Sequence, residues 1–151
     1  MNYAPREEFT SIRVTREGKW FAGAKEIINY KVISHFKQNL FCDEKGVYIH
    51  QTFHQFAEKG YIIVEGPLLS VFRIDDTTLT LDSLDTMPIN ETEVIQNSDD
   101  DALYVFYPRL KCYASVPASV APDFSRYLEE EGDGFTFLKK PIERKKIQVW
   151  L

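Results

Sequence analysis

The 151-residue chain is 44% apolar and 27% charged with a formal net charge of −5, and a chain of about this length buries roughly 68–70% of its unfolded surface without needing staples. Two cysteines outside any Cys-x-x-Cys pattern exclude a disulfide framework or a zinc finger, and no stretch approaches the roughly 18 apolar residues that cross a bilayer. The acidic balance disfavours nucleic acid as a partner, because phosphate binding rests on clustered Lys and Arg.

Met1 to Glu8 carries acids and no apolar run, so it reads as no signal peptide. Ser11 to Thr15 alternates as a strand, Glu17-Gly18 turns, and Lys19-Trp20-Phe21 returns as a second strand. Past Gly23, Ile27-Ile28 reads as a short third. Asn29 suits the N-cap of a helix over residues 30–42 that buries Val32, Ile33, Phe36 and Leu40, with Asp43-Glu44-Lys45-Gly46 as its stop. Val47 to Phe53 reads as a strand, Glu58-Lys59-Gly60 as a turn, and Tyr61 to Val64 as an apolar strand broken by Gly66-Pro67. Leu68 to Ile74 and the period-two stretch Thr78 to Leu81 follow as strands around the turn Asp75-Asp76. Ser83 to Glu91, with Pro88, reads as loop. Val94-Ile95, Leu103 to Tyr107, Lys111 to Ala114 and Phe135 to Leu138 are further strands. Pro122 fits the first turn of a second helix that runs to about Glu130.

One pattern occurs twice, 88 positions apart: Val32, Phe36, Leu40 and Gly46 recur as Val120, Phe124, Leu128 and Gly134. An acid (Asp43, Glu131) and an apolar tail (Val47 and Ile49, Phe135 and Phe137) keep the same offset. Apolar residues at i, i+4 and i+8 share a helix side, and residues two apart share a strand face. Each copy therefore predicts an amphipathic helix, an acidic-glycine turn and a half-buried strand. The expected architecture is α+β, a mostly antiparallel sheet in two sequence-related units with one helix each. The first unit is placed at residues 1–82 and the second at 83–151, as one compact globule with the seam in Ser83 to Glu91.

Between Asp75 and Pro108 there are nine acids and no Lys or Arg, whereas Lys139 to Lys146 is strongly basic. The plain expectation is a tail that is solvated or docked over the acidic middle. Cys42 and Cys112 are expected as reduced thiols, which with the missing leader and membrane span places the protein in the cytoplasm.

Gly18-Lys19-Trp20-Phe21, Ile27, Val32 to Leu40, Gly46-Val47-Tyr48 and Val64-Glu65-Gly66-Pro67-Leu68 follow the order of the bacterial "domain of unknown function 1285" family, which this chain resembles. Tyr104-Val105, Arg109-Leu110, Phe124 to Leu128 and Gly134 to Leu138 continue the resemblance, which spans about Phe9 to Lys140. It departs at Phe53-His54-Gln55, where the family carries Pro and Glu, and at Glu65-Gly66-Pro67, where the acid is displaced. The resemblance implies a repeated α+β architecture, no established enzymatic activity, and a sensory or signalling role.

No phosphate-binding glycine loop, nucleophile elbow or His-Glu-x-x-His occurs. His50 and His54 are the candidates for a metal-dependent enzyme, since an even spacing puts both imidazoles on one strand face. His35 and Cys42, seven apart, stand roughly 10 Å apart along a helix, too far for a nucleophilic dyad. Asp99-Asp100-Asp101 lacks the glycine and terminal glutamate of a calcium loop and reads as a solvated turn. What remains is a groove where two units meet. Trp20, Phe21, Tyr48, Tyr107 and Tyr113 supply apolar bodies there, several with polar tips, and Arg109 can hold a carboxylate or phosphate bidentately. The expected function is a module without cofactors or catalysis that binds a small molecule or protein. The alternatives are the His50/His54 enzyme and a structural or homo-oligomeric protein attached through Val149-Trp150-Leu151.

Overall fold

Period-two patterning dominates the sequence, and strands dominate the structure. The computed structural model describes residues 6–53 and 56–150. The chain divides into two units: described residues up to Leu68 with Pro108–Cys112 and Trp150, and Leu69–Tyr107 with Tyr113–Val149. Residues 69–82, expected at the end of the first unit, fall in the second.

In unit 1, β1 (Arg6–Val14), β2 (Trp20–Ala22) and β3 (Lys25–Glu26) precede α1 (Tyr30–Gln38). Then come β4 (Leu40–Asp43), β5 (Gly46–Phe53) and β6 (Phe56–Val64). They form a six-stranded sheet in the order β3-β2-β1-β6-β5-β4. Every pairing is antiparallel except β1 with β6, which is parallel. Val14, Trp20, Leu40, Val47, Ile49 and Leu68 make the core.

In unit 2, β7 (Val71–Ile74), β8 (Thr78–Leu81) and β9 (Thr86–Pro88) form an antiparallel sheet. β10 (Glu93–Asn97), β11 (Leu103–Tyr107) and β12 (Cys112–Ser115) follow, then α2 (Ala121–Ser125), β13 (Leu128–Glu131), β14 (Gly134–Phe137), β15 (Lys140–Pro141) and β16 (Glu143–Lys145). One sheet runs β12-β11-β10-β16, with β16 parallel to β10, and another β13-β14-β15. The basic tail is thus docked in unit 2. Arg144 pairs with Asp101 at 2.6 Å, and Ile147 N donates to Asn97 Oδ1 at 3.2 Å. Trp150 is buried in unit 1 under the Arg16 guanidinium, 4.5 Å from its ring, so among the described tail residues it is no free apolar anchor.

Several boundaries differ from expectation. Both helices end early, at Gln38 and Ser125, and Leu40 and Leu128 open strands instead. Asn29 caps α1 as expected, accepting from Lys31 N at 3.0 Å. A period-four apolar run cannot distinguish a third helical turn from a strand whose alternate residues face the same core. Gly60 lies inside β6, not in a turn: a Cβ there would stand 3.1 Å from Thr10 Cγ2, so the glycine admits a close neighbour across the sheet. Ser83 to Glu91 is not all loop, since it holds β9 and a 3-10 turn at Ile89–Glu91. The short third strand is Lys25–Glu26, ahead of Ile27-Ile28.

The repeat itself is present as two copies of helix plus hairpin. Leu40 pairs with Ile49, and Asp43 with Gly46; 88 residues on, Leu128 pairs with Phe137, and Glu131 with Gly134. The copies differ in closure. Val120 is 3% exposed and Phe124 1%, whereas Val32 is 38% exposed and Phe36 half-buried. No residue of α1 is fully buried.

Candidate functional site

Residues paired across a sheet project to one face. Phe9 pairs with Tyr61, Tyr61 with Tyr48, and Tyr48 with Phe41, which sets four rings in a row across β1, β6, β5 and β4. Successive ring centroids lie 5.4, 5.4 and 6.1 Å apart, inside the range at which aromatic pairs attract. The Arg109 guanidinium closes the row 5.4 Å over Phe41. Phe9 is 83% exposed and Phe41 41%, while Tyr61 between them is buried.

The turn that precedes β5 sets this register. Asp43 Oδ1 accepts from Lys45 N at 2.9 Å, tightening the chain so that Phe41 and Tyr48 face each other. Asp43 Oδ2 takes two further donors, Tyr61 Oη at 2.6 Å and Lys59 Nζ at 3.2 Å. The Tyr61 hydrogen bond above all holds the Asp43 carboxyl below its ordinary range, helped by Lys45 N and Lys59. The same carboxylate pushes the Tyr61 phenol up and keeps Lys59 protonated to higher pH. Lys45 pairs with Glu7 at the edge of this network.

Cations sit on rings elsewhere on the face: Lys59 Nζ is 5.0 Å over Tyr48 and Arg13 is 5.5 Å over Phe21. His50 approaches Phe41 edge-on at 5.6 Å. Beside the row, the turn at Pro108–Cys112 docks on β4. Arg109 Nη1 donates to Leu40 O at 3.0 Å, and Cys42 Sγ lies 3.6 Å from Arg109 O. An open hollow of about 400 Å³ lies there between Cys42, Asp43, Val47, Leu110 and Lys111.

Of the six residues singled out from sequence, Phe21, Tyr48 and Arg109 belong to this face. Trp20 is buried, stacked on Phe36 at 6.0 Å, and its indole Nε1 has no partner among the described residues. Tyr107 is buried in unit 2, where Tyr113 is half-buried against Phe106 at 5.3 Å. His54 lies outside the described residues, and among those described no group of three or more His, Cys, Asp and Glu could hold a metal. Asp100 and Asp101 are engaged within their own loop and tail, Asp100 by Ala102 N and Tyr104 Oη, Asp101 by Arg144. Sequence reasoning missed Phe9, Phe41 and Tyr61. The signal was the two-residue turn Glu44-Lys45, from which pairing back along the strands sets Phe41 opposite Tyr48.

Two solved structures share this architecture. A DUF1285 family protein from Silicibacter pomeroyi DSS-3 matches with a TM-score of 0.65 at 19% identity, over 89% of this chain and 79% of that one. The chain has the DUF1285 fold. A second DUF1285 family protein, from Shewanella baltica OS155, matches with a TM-score of 0.54 at 13% identity, over 78% of this chain and 91% of its own. No family model matches the sequence, and no curated protein does. The DUF1285 likeness covers architecture, as the residues around Trp20 and Gly46 implied; the chemistry of the aromatic face is argued from this chain alone.

Proposed function

We propose that this protein is a non-catalytic module of a signalling kind that binds a protein partner on the aromatic face of its first sheet. The observation that supports the reading is the row Phe9–Tyr61–Tyr48–Phe41, exposed at both ends and finished by Arg109. Aromatic residues and Arg are what protein interfaces concentrate at their energetic centres. The charges around the row are mixed, Glu7 and Asp43 against Lys45, Lys59 and Arg109. That suits a protein surface better than a phosphate backbone, which asks for one sign throughout. The neighbouring hollow, walled by Val47 and Leu110 and lined also by Asp43, Glu44 and Lys111, suits an apolar anchor. Both cysteines are free thiols, which supports a reducing compartment such as the cytoplasm.

Placing the photocrosslinking amino acid p-benzoylphenylalanine at Phe41 tests this in cells, with Phe72, 61% exposed on β7 of unit 2, as the control position. A discrete protein adduct at Phe41, absent at Phe72 and lost on Arg109→Ala, is expected. No adduct at Phe41, or the same adduct at both positions, overturns the reading.

A further inference from the structure

The two copies of the helix–hairpin motif close in different ways, and the difference leaves a space in one of them. In unit 2, Phe124 of α2 stacks on Phe137 of β14 with centroids 5.2 Å apart and planes 19° from parallel. Both rings are buried, so the helix is sealed onto its hairpin. In unit 1 the equivalent residues are Phe36 and Ile49, at the same offset and in the same strand register. In this copy the ring beside Phe36 is that of Trp20, from another strand of the sheet. A cavity of about 150 Å³ opens between Phe36 and Ile49, with Ile12 beside them and the bare Gly60 backbone as part of its wall. Glu8, Thr10, Gln51 and Lys59 bring polar groups to the same space. The Thr10 hydroxyl is engaged, donating to Tyr61 O at 2.7 Å and accepting from Ile12 N at 3.2 Å.

We infer that this cavity is a binding site for a small monocyclic aromatic compound bearing one hydrogen-bond donor. A ligand ring would lie against Phe36 as the Phe137 ring lies against Phe124, and its donor would meet Gln51. The size agrees: roughly 150 Å³ is room for a single benzene-sized ring, whereas a bicyclic or drug-sized ligand occupies several hundred Å³. Offset stacking adds to burial when two rings meet in this way. The site is on the opposite sheet face from the aromatic row, because Ile49 and Tyr48 are neighbours on one strand. It therefore goes beyond the partner-binding reading, and either can fail without the other.

The experiment uses phenol as the probe and the full chain, methyl-labelled at isoleucine, in nuclear magnetic resonance titrations. Saturable shifts of the Ile49 and Ile12 methyls are expected, with cross-relaxation from the phenol ring to Ile49 and Phe36. Ile49→Phe, which installs the ring of the closed copy, is expected to weaken phenol binding at least tenfold. Phe41→Ala, on the other face, is expected to leave it unchanged. Absence of saturable shifts at Ile49, or undiminished binding by folded Ile49→Phe, overturns the proposal. If Ile49→Phe does not fold, the cross-relaxation pattern of the unmodified chain decides: contacts to Ile49 and Phe36 support the site, and contacts elsewhere or none overturn it.

Discussion

Tyr61 donates its phenol hydrogen to Asp43 Oδ2 at 2.6 Å, joining the middle of the six-stranded sheet to the turn at its edge. The bond ties the acid stability of unit 1 to one carboxylate. Asp43 titrates below the ordinary value of 3.8 when folded, so its contribution is present in full above that pH and is lost as pH falls through the folded value. Lys59 has the opposite sign. Its folded pKa lies above 10.5, so its contribution is complete below 10.5 and disappears as pH rises through the folded value. Urea denaturation from pH 7 down to pH 2 is expected to show the native chain more stable than Asp43→Asn at neutral pH. The two curves are expected to converge only as pH falls below 3.8 and through the lowered folded value, where the native carboxylate takes up its proton.

Gly66 is expected to tolerate no side chain. A Cβ there would stand 2.1 Å from Thr15 O and 2.7 Å from Arg16 Cα, both backbone atoms that no rotamer change can move. Gly66→Ala is expected to destabilise by more than the roughly 1 kcal/mol of a typical substitution. Gly60→Ala, whose methyl would meet the Thr10 methyl at 3.1 Å and Ile49 O at an ordinary 3.8 Å, is expected to cost less. Denaturation midpoints of the two variants, measured side by side, check the order.

The unequal seating of the two helices has a direct energetic consequence. Phe124 is 1% exposed, so Phe124→Ala is expected to cost about 3–5 kcal/mol, the usual range for emptying a buried ring site. Phe36 is half-buried and already borders a cavity, so Phe36→Ala is expected to cost roughly half as much or less. Equal losses in chemical denaturation would mean that the copies are seated alike.

That inequality marks where sequence patterning stops informing. Val32, Phe36 and Leu40 and their counterparts carry the same spacing, so the repeat, its turn and its following strand were legible. The identity of the middle element was not, because Leu40 satisfies a helical and a strand pattern equally. The parallel pairing of β1 with β6 joins segments some fifty residues apart, and nothing local in Phe9 or Tyr61 encodes it. The aromatic row inherits that limit: Phe41 opposite Tyr48 follows from the hairpin turn, whereas Phe9 and Tyr61 need the long-range register. The departure of Ile49 from Phe137 was visible as a letter, but its meaning depended on knowing what Phe124 touches.

The two thiols are expected to react at very different rates. Cys112 is fully buried, and burial pushes its thiol up to about 12, so almost no thiolate forms at neutral pH. Cys42 is half-buried at the edge of the open hollow. An aromatic disulfide reagent at pH 8 is expected to label one thiol of the native chain, identified as Cys42 by peptide mapping, and the second only in denaturant. Rapid labelling of both in the native state would contradict the burial of Cys112.

The docked tail offers two contacts that look alike and should weigh differently. Asn97 is buried, and its Oδ1 accepts both Ile147 N at 3.2 Å and Asp99 N at 3.4 Å. Asn97→Ala strands the Ile147 donor at a buried place and is expected to cost about 1–3 kcal/mol. The Arg144–Asp101 pair is shorter, 2.6 Å, but its side chains are more than half exposed. Water and salt screen such pairs, and their worth is about 0–1 kcal/mol. Asp101→Asn is the clean substitution, because Asp101 has φ +58 and Asn accepts the left-handed region where Ala would add strain. Urea denaturation at low and high salt is expected to show a large, salt-independent loss for Asn97→Ala and a small loss for Asp101→Asn that vanishes in salt. If the ranking is reversed, the tail is held by its exposed charges and not by the buried amide.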